Sequence, residues 1–294
     1  MQFFYQNRTH DMNNRDNTQP DTINKVQNTT NMISSVSEAG PLISVITITY
    51  NAAPVIRPTL ESLNAQTFRN FEHLVIDGAS KDDTVSIVNG MCPDSIVRSE
   101  PDRGLYDAMN KGLRAAKGKY LLFLNAGDAL HAPDTLQRYA DAAYLNRNNT
   151  PNADSRQRYA DIIYGDTIVV DSARNFVKPR HLSVPERLTF RSFANGMLVC
   201  HQAFMVRRDL APEYDLHYRF SADYEWTIRC LKTADSDRNV NLHAVAIDYL
   251  SDGLTDKNHR ASLKERFRIM CRYYGTIPTL LRHIRFLLRH LKNK

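Results

Sequence analysis

The sequence lacks the features of several large protein classes. No stretch of the 294-residue chain approaches the ~20 consecutive apolar residues that a membrane-spanning helix needs. Its first residues lack a basic segment followed by an apolar one, so no secretory signal is predicted. The four cysteines lie far apart without a Cys-x-x-Cys pair, which predicts free thiols in a reducing compartment and neither a disulfide framework nor a zinc site.

Two glycine-rich signatures are also absent. The first predicted strand is not followed by Gly-x-Gly-x-x-Gly, and the chain contains no P-loop, so neither a dinucleotide fingerprint nor a P-loop phosphate site is expected. The composition, with 42% hydrophobic and 24% charged residues, is close to the globular average. This excludes a mainly disordered or fibrous chain and predicts a buried core.

Positive charge is concentrated at the C-terminus. Residues 260–294 hold ten Lys or Arg and one Glu, a net of +9, whereas the whole chain carries +6, so the preceding residues sum to −3. A basic segment attached to a slightly acidic body favours an anionic membrane surface over a nucleic acid as its partner. We expect no nucleic-acid partner.

The chain divides into three regions. Residues 1–40 are rich in Asn, Thr, Gln, Asp and Ser and cannot bury enough apolar surface to offset their ordering entropy, which predicts a disordered polar tail. Residues 41–252 alternate strand-like and helix-like segments and are predicted to form one domain. Residues 253–294 are predicted to be basic and helical.

The first half of that domain predicts a parallel sheet. Buried strands are expected at 42–50, 71–77, 95–100 and 119–125, with helices at 54–66, 84–89, 105–117 and 134–146. Gly118 is interpreted as the C-cap of the third helix. This alternation is typical of a Rossmann-like, mostly parallel sheet with helices on both faces.

The second half predicts shorter, antiparallel strands. They are expected at 161–164, 166–170 and 174–178, after a polar loop over 147–160, with another strand at 200–206. A helix over 222–232 and a strand over 240–250 follow. The last two segments, 257–274 and 278–292, are predicted to be helices.

Polar side chains follow the ends of the parallel strands, where ligands bind in such sheets. Asp77 ends the second strand and could accept hydrogen bonds from a nucleobase or a ribose, or serve as a turn residue. Asp128 closes the sequence LNAGD, which resembles the Asp-x-Asp element that holds Mg²⁺ or Mn²⁺ on a diphosphate; alternatively, it caps the next helix.

The segment EPDRGLYDAMNKG, residues 100–112, lies between these two sites in the sequence. Arg103 beside Gly104 allows a phosphate contact with close backbone approach. Asp107, Asn110 and Lys111 fall on one helical turn that faces the strand ends or, alternatively, forms a solvated helix face.

Two further candidates come from the second half. His201 and Gln202 begin a predicted strand and are interpreted either as ligands of an acceptor or metal, or as structural residues. Asp223 lies at the start of a helix, where it could be an N-terminal cap or the general base for a hydroxyl.

The order of these motifs resembles that of the family 2 glycosyltransferases, which have the GT-A fold, and especially of bacterial members that build exopolysaccharide or capsule repeats. The resemblance covers about residues 43–252 and rests on ITYN, IDGASKDDT, EPDRGLYDAMNKG, YLLFLNAGD, HQAF and ADYEW. It implies a cytoplasmic, inverting transferase that uses a nucleotide-sugar, by default a UDP-sugar, and a glycan or lipid-linked saccharide as acceptor.

The resemblance also implies residue roles. Asp77 would bind the base, Arg103 would lie near the diphosphate, and Asp223 would deprotonate the acceptor hydroxyl. Asp128 would hold Mn²⁺ or Mg²⁺. The implied nucleotide-sugar site comprises Thr49, Tyr50, Asn51, Asp77, Gly78, Ser80, Arg103, Gly104, Asp107, Asn110, Lys111 and Asn125.

The chain departs from the family pattern at two places. Asn125 stands where many relatives have the first aspartate of the metal motif. Ala222-Asp223 replaces the commoner acidic pair. Two alternatives to a glycosyltransferase are considered. One is a non-catalytic protein of the same fold that binds a sugar-nucleotide or a membrane, and the other is a nucleotidyltransferase.

The last predicted helix has an apolar face flanked by arginines. Such a basic amphipathic helix is typical of a segment that lies on an anionic membrane surface, here the inner face of the plasma membrane, or packs on the protein itself. The apolar positions are Leu280, Leu281, Ile284, Leu287, Leu288 and Leu291, and the flanking positions are Arg282, Arg285 and Arg289.

Overall fold

The structure is a computed structural model that describes residues 40–144, 159–251 and 259–292. The side chains of 259 and 285–292 are not described, so the predicted apolar and basic positions beyond Ile284 lie outside the described side chains. The predicted polar tail and most of the polar loop 147–160 also lie outside the described residues.

Nine strands form one sheet within the described residues. The sheet has the order β3-β2-β1-β4-β8-β6-β9-β5, and β7 pairs with β6. The strands are β1 Ile43–Thr49, β2 Phe71–Asp77, β3 Ile96–Ser99, β4 Tyr120–Phe123, β5 Ala129–Leu130, β6 Ile162–Val170, β7 Phe176–Pro179, β8 Phe204–Arg207 and β9 Asn239–Leu250.

The first four strands are parallel, as the sequence predicts, because a helix separates each strand from the next. The antiparallel extension is confirmed by β8, which pairs antiparallel with β4 and β6, and by β7 on β6. The helices are α1 Ile56–Asn64, α2 Thr84–Met91, α3 Leu105–Ala115, α4 Thr135–Ala143, α5 Ala222–Thr233, α6 His259–Tyr274 and α7 Thr276–Lys292.

One correction concerns β6, which was predicted as two separate strands. It is continuous and pairs parallel with β9, with a register shift between Tyr164 and Asp166. A Cβ on the intervening Gly165 would lie 2.9 Å from the backbone oxygen of Ala244. The glycine therefore marks a close approach of β9 and not a turn between strands.

A second correction concerns Gly118, which does not cap a helix. The helix α3 ends at Ala115, and Ala116 already has an extended backbone. A Cβ on Gly118 would lie only 2.5 Å from the backbone nitrogen of Ser44 in β1. Glycine is required here because β1 passes against this segment.

Aromatic packing fixes α5 against the sheet. Trp226 of α5 is fully buried and stacks on Tyr214 with ring centroids 4.9 Å apart. Phe123 of β4 and Phe204 of β8 meet the indole edge-on at 5.9 and 6.0 Å. Such pairs contribute about 0.5–1.5 kcal/mol each beyond the burial of their area. The cluster holds the first turn of α5 close to the end of β4.

The helix α6 is bound to the start of α5. The hydroxyls of Ser262 and Ser221 lie 2.9 Å apart, and both are buried. The carboxylate of Glu265 accepts hydrogen bonds from the backbone N–H groups of Arg219 at 2.9 Å and Phe220 at 2.8 Å. These contacts also hold Arg266, the residue that follows Glu265, near the first turn of α5.

The final helix, α7, is amphipathic. Thr279 is buried, and the His283 ring packs edge-on against Phe267 of α6 at 5.1 Å. No helix among the described residues is long and apolar enough to cross a membrane. The opposite side of α7 leaves apolar side chains between 47% and 72% exposed, namely Ile277, Leu280, Leu281 and Ile284.

Candidate active site at the carboxyl edge of the sheet

Asp77, the last residue of β2, is buried where β1, β2 and β3 end together. Oδ1 accepts hydrogen bonds from the hydroxyls of Thr49 at 2.8 Å and Ser80 at 2.5 Å. Oδ2 accepts from the Ser80 backbone N–H at 2.9 Å and the Ser99 hydroxyl at 2.6 Å. The carboxylate therefore joins three strand ends and the loop after β2.

These contacts set the ionisation of Asp77. Burial raises the pKa of its carboxyl, but the hydrogen bonds from Ser80, Ser99 and Thr49 together outweigh burial and bring the pKa below its usual value. A carboxylate offers about four acceptor positions, and protein donors fill them all. Asp77 thus has the structural role expected of a turn aspartate, and its role as a base ligand stays a prediction.

The loops after β1 and β2 are tied together through Asn51. Its backbone is left-handed, with φ of 48°, a conformation that asparagine tolerates better than most residues. Its N–H donates to the Ser80 hydroxyl at 2.8 Å, and its side-chain oxygen accepts from the Lys81 backbone at 2.9 Å. The structure therefore brings together Thr49, Asn51, Asp77 and Ser80, as the resemblance implies.

Asp102 is a residue of this edge that the sequence did not single out. A Cβ on Gly78 would lie 2.6 Å from Asp102 Oδ2 and 3.2 Å from the ring of Tyr50, which is 66% exposed. The other carboxylate oxygen accepts from the N–H of Gly104 at 2.8 Å. An exposed aromatic face and a carboxylate thus meet at Gly78. The sequence shows only an aspartate two residues before a glycine, and the positive φ of Gly104 is known from the structure.

The cations of the segment 100–112 are paired with neighbouring acids. Arg103 bonds Asp107 Oδ1 at 2.8 Å, and this hydrogen bond is the main reason that the pKa of Asp107 falls to about 2. Lys111 Nζ lies 2.9 Å from Glu100 and donates to the backbone oxygen of Pro101 at 2.7 Å. The predicted phosphate contacts of Arg103 and Lys111 stay predictions.

Asn110 links α3 to the chain before α5. Its Nδ2 donates to the backbone oxygen of Tyr214 at 3.0 Å, and its Oδ1 accepts from the Tyr214 N–H at 2.6 Å. The side chain is buried. Both ends of the amide are engaged, so Asn110 shapes the site by fixing Tyr214.

Asp128 is buried and joins distant segments. Its Oδ1 accepts from the backbone N–H of Leu250 at the end of β9 at 2.9 Å, and its Oδ2 accepts from the side-chain amide of Gln202. The oxygen of that amide accepts from the Cys200 thiol at 2.7 Å. Burial raises the pKa of Asp128 to about 7. Asp128 does not cap α4, since the N-cap residue of that helix is Asp134.

The residues around Asp128 do not by themselves fit a divalent cation. Mn²⁺ and Mg²⁺ need several oxygen ligands, and a carboxyl must lose its proton to become one. Both oxygens of Asp128 are engaged, and the Oδ1 of Asn125, buried without a hydrogen-bond partner among the described residues, offers one neutral oxygen. The described segments contain no group of three or more His, Cys, Asp or Glu that could hold a metal.

Asp223 lies beside His201 at the same edge. Its Oδ2 is 3.5 Å from His201 Nδ1, and its Oδ1 accepts from the Tyr106 hydroxyl at 3.1 Å. His201 Nε2 is 3.2 Å from the side-chain amide of Asn125. Asp223 is not a cap, because the N-cap of α5 is Ser221. Its position in the first helical turn favours the ionised form.

The ionisation of Asp223 follows from these neighbours. Burial raises the pKa of the carboxyl, but hydrogen bonding and charge attraction from His201 outweigh it, so the pKa lies below the usual value. Asp223 is 14% exposed and His201 11%. A mostly buried, ionised carboxylate that retains access to solvent can accept a proton from a bound hydroxyl.

Comparison with known proteins places these features in a family. Residues 44–214 match the family model "Glycosyl transferase family 2". A PGL/p-HBAD biosynthesis glycosyltransferase of Mycobacterium bovis is 34% identical over 74% of this chain and 82% of its own length. An uncharacterized glycosyltransferase of Mycobacterium tuberculosis is 33% identical over 65% of this chain and 69% of its own.

Solved structures show the same fold. S. aureus TarS, residues 1–349 in complex with UDP, superimposes with a TM-score of 0.60 at 18% identity, covering 85% of this chain and 72% of that one. The mannosyltransferase PcManGT from Pyrobaculum calidifontis, in complex with GDP-Man and Mn²⁺, gives 0.54 at 18% identity over 89% and 77%. The chain therefore has the GT-A fold and belongs to glycosyl transferase family 2.

Proposed function

We propose that the protein is an inverting glycosyltransferase that moves a sugar from a nucleotide-sugar to a hydroxyl of a glycan or lipid-linked saccharide in the synthesis of a cell-surface polysaccharide. The observation that carries the proposal is the pair of Asp223 and His201 at the carboxyl edge of a family 2 domain. The domain is proposed to span residues 41–252.

The proposed reaction is one in-line displacement. The acceptor oxygen attacks C1 of the donor sugar while Asp223 takes the hydroxyl proton, and the bond from C1 to the nucleoside diphosphate breaks with its electron pair leaving on the phosphate oxygen. Tyr106 and His201 hold the two carboxylate oxygens of Asp223, so that the base keeps one orientation. Attack opposite the leaving group inverts the anomeric carbon.

UDP is the proposed nucleotide. TarS, whose structures contain UDP and UDP-GlcNAc, supports this choice, whereas the GDP-Man in PcManGT supports testing other nucleotides. The Mn²⁺ in PcManGT supports testing a divalent cation, which would supply positive charge to the diphosphate. No step above depends on that ion.

The first test is calorimetric titration with UDP, GDP, CDP and dTDP, each with and without Mn²⁺. We expect one nucleotide to bind, and the corresponding nucleotide-sugars to be hydrolysed slowly or transferred. If no nucleotide binds under either condition, the proposed function is wrong.

A non-catalytic sugar-nucleotide-binding protein is the second candidate. It is favoured by Asn125, whose Oδ1 is buried without a hydrogen-bond partner in the described part of the chain and stands where many relatives have a carboxylate. Nucleotide binding without any donor hydrolysis or transfer, across a panel of sugars and acceptors, would favour this candidate over the enzyme.

We also propose that α7 rests on an anionic membrane surface on the cytoplasmic side. Its exposed apolar side chains and the basic composition of 260–294 support this location. Substituting both Leu281 and Ile284 with Asp should weaken binding to phosphatidylglycerol vesicles by more than tenfold, since each buried side chain contributes about 1.5–3 kcal/mol.

Vesicle flotation measures this effect. The matched control is Leu263→Asp, on α6, because Leu263 is 50% exposed like the two targets. The membrane location of α7 would be refuted if the wild-type chain did not float with the vesicles. It would also be refuted if the doubly substituted α7 variant and the Leu263→Asp control floated equally.

A further inference from the structure

We propose that Arg266 of α6 binds the diphosphate of the nucleotide-sugar and supplies positive charge to it as the diphosphate leaves the sugar. This inference rests on the proposed function and extends it to a residue outside the segment that matches the family model, which ends at residue 214. Three features of the structure carry it: the position of Arg266, the absence of a hydrogen-bond or ion-pair partner for it among the described residues, and the engagement of the other nearby cations.

Arg266 lies against the residue that follows the proposed base. Its guanidinium carbon is 5.8 Å from the ring centroid of Tyr224, the residue that follows Asp223 on α5. Glu265 and Ser262, which bind the backbone and the hydroxyl at the start of α5, hold this part of α6 in place. The guanidinium is therefore positioned by a rigid contact between two helices and not by a free loop.

The guanidinium has no hydrogen-bond or ion-pair partner among residues 40–144, 159–251 and 259–292. Its Nε is buried and unbonded in this part of the chain. A buried donor without an acceptor costs about 1–3 kcal/mol, more for a charged group, so a ligand that supplies acceptor oxygens would relieve this cost. Phosphate oxygens match the planar fork of an arginine.

The other cations near the edge already have acceptors. Arg103 pairs with Asp107, and Lys111 pairs with Glu100. Arg174 donates to the backbone oxygen of Gly127, and Arg180 donates to the backbone oxygens of Met197 and Leu198. Arg266 differs from these four because its guanidinium has no such acceptor among the residues that the structure describes.

The charge of Arg266 already acts on the catalytic groups. After the effects of burial and of His201, attraction to Arg266 is a further cause that lowers the pKa of the Asp223 carboxyl. The same charge acts on the hydroxyl of Tyr106, where it opposes the rise in pKa that burial causes. A diphosphate that leaves from the sugar attacked beside Asp223 would gain negative charge, and the proposed role of Arg266 is to stabilise that charge.

The test compares ligands that differ only in phosphate. UDP, inorganic pyrophosphate and uridine, or the matching series for the nucleotide that the wild-type chain prefers, are titrated against wild type, Arg266→Gln and Arg266→Lys. We expect Arg266→Gln to weaken UDP binding by about 10- to 100-fold, as for the loss of hydrogen bonds to a charged group, and to leave uridine binding unchanged. Arg266→Lys should recover part of the loss, because it restores charge without the fork.

The matched control is Arg268→Gln, which removes an exposed arginine from the same helix and should leave UDP binding within twofold of wild type. If wild type binds UDP and Arg266→Gln binds it equally well, the inference fails while the proposed function stands. Equal weakening of UDP and uridine would also overturn it, because that indicates a structural role. If wild type binds no nucleoside diphosphate, both fail.

Discussion

Replacing Asp223 with Asn is expected to lower turnover by about 10²- to 10⁴-fold while the affinity for the nucleoside diphosphate stays unchanged. Asparagine keeps the size of the side chain and can still accept the hydrogen bond from Tyr106, which lies 3.1 Å from Oδ1. It cannot take a proton from the acceptor hydroxyl. The loss should therefore appear in the chemical step and not in donor binding.

Single-turnover transfer measures the chemical step, and calorimetry measures nucleotide affinity. Asp141→Asn is the control, since Asp141 is an exposed carboxylate on α4 and lies outside the site. Unchanged transfer by Asp223→Asn would remove Asp223 from the role of base. A loss of nucleotide affinity in parallel with transfer would instead assign it to donor binding.

The sequence alone could not decide between two interpretations of Asp223. Its place near the start of a helix allowed either a cap or a base, and both interpretations need the same residue type. The structure excludes the cap because Ser221 occupies the N-cap position, and it places Asp223 beside His201 and Tyr106. Those partners come from other elements, and no local pattern reveals them. The role of base stays a prediction.

The parallel half of the sheet was predictable because its strands carry local signals. Every residue of β1 is buried, and its β-branched run is a local signal that needs no knowledge of distant partners. The pairing of β6 with β9 depends on residues 77 to 80 positions apart, such as Tyr164 and Asn241, and was missed. The strand β5 has only two residues, too few for any periodicity.

The loop residues illustrate a third case. The sequence predicted that Thr49, Asn51, Asp77 and Ser80 lie at the carboxyl edge of the sheet, because parallel strands end together, and the structure shows them in contact there. It did not reveal that four donors of the protein surround Asp77, nor that Asp102 lies against Gly78. Which carboxylate remains available is a property of packing, and the spacing of residues does not encode it.

The ionisation of Asp128 is expected to make the stability of the folded protein depend on pH. Its pKa is about 7 in the folded protein, raised by burial from the usual 3.8. Below pH 4 the carboxyl is protonated in both the folded and unfolded states. Between pH 4 and 7 only the folded state keeps the proton, so the contribution of Asp128 to the free energy of unfolding falls as the pH rises, by about 1.4 kcal/mol per pH unit.

An Asp128→Asn variant cannot ionise, so this loss should disappear. Asparagine can still accept from the Leu250 N–H and, if the Gln202 amide flips, donate to its oxygen. Relative to wild type, the variant should gain about 4 kcal/mol in unfolding free energy between pH 4 and pH 8, from a shift of about three pKa units. Urea unfolding of both proteins across this range measures the difference.

The control for this prediction is a carboxylate that is not buried. The exposed Asp141→Asn variant should keep the pH dependence of the wild-type chain. A stability difference between Asp128→Asn and wild type that stays constant from pH 4 to 8 would show that Asp128 ionises freely. In that case both oxygens would carry negative charge at neutral pH, and the carboxylate would regain its predicted candidacy as a metal ligand. The expected slope instead makes Asp128 a neutral link between β9 and Gln202 below its pKa of about 7.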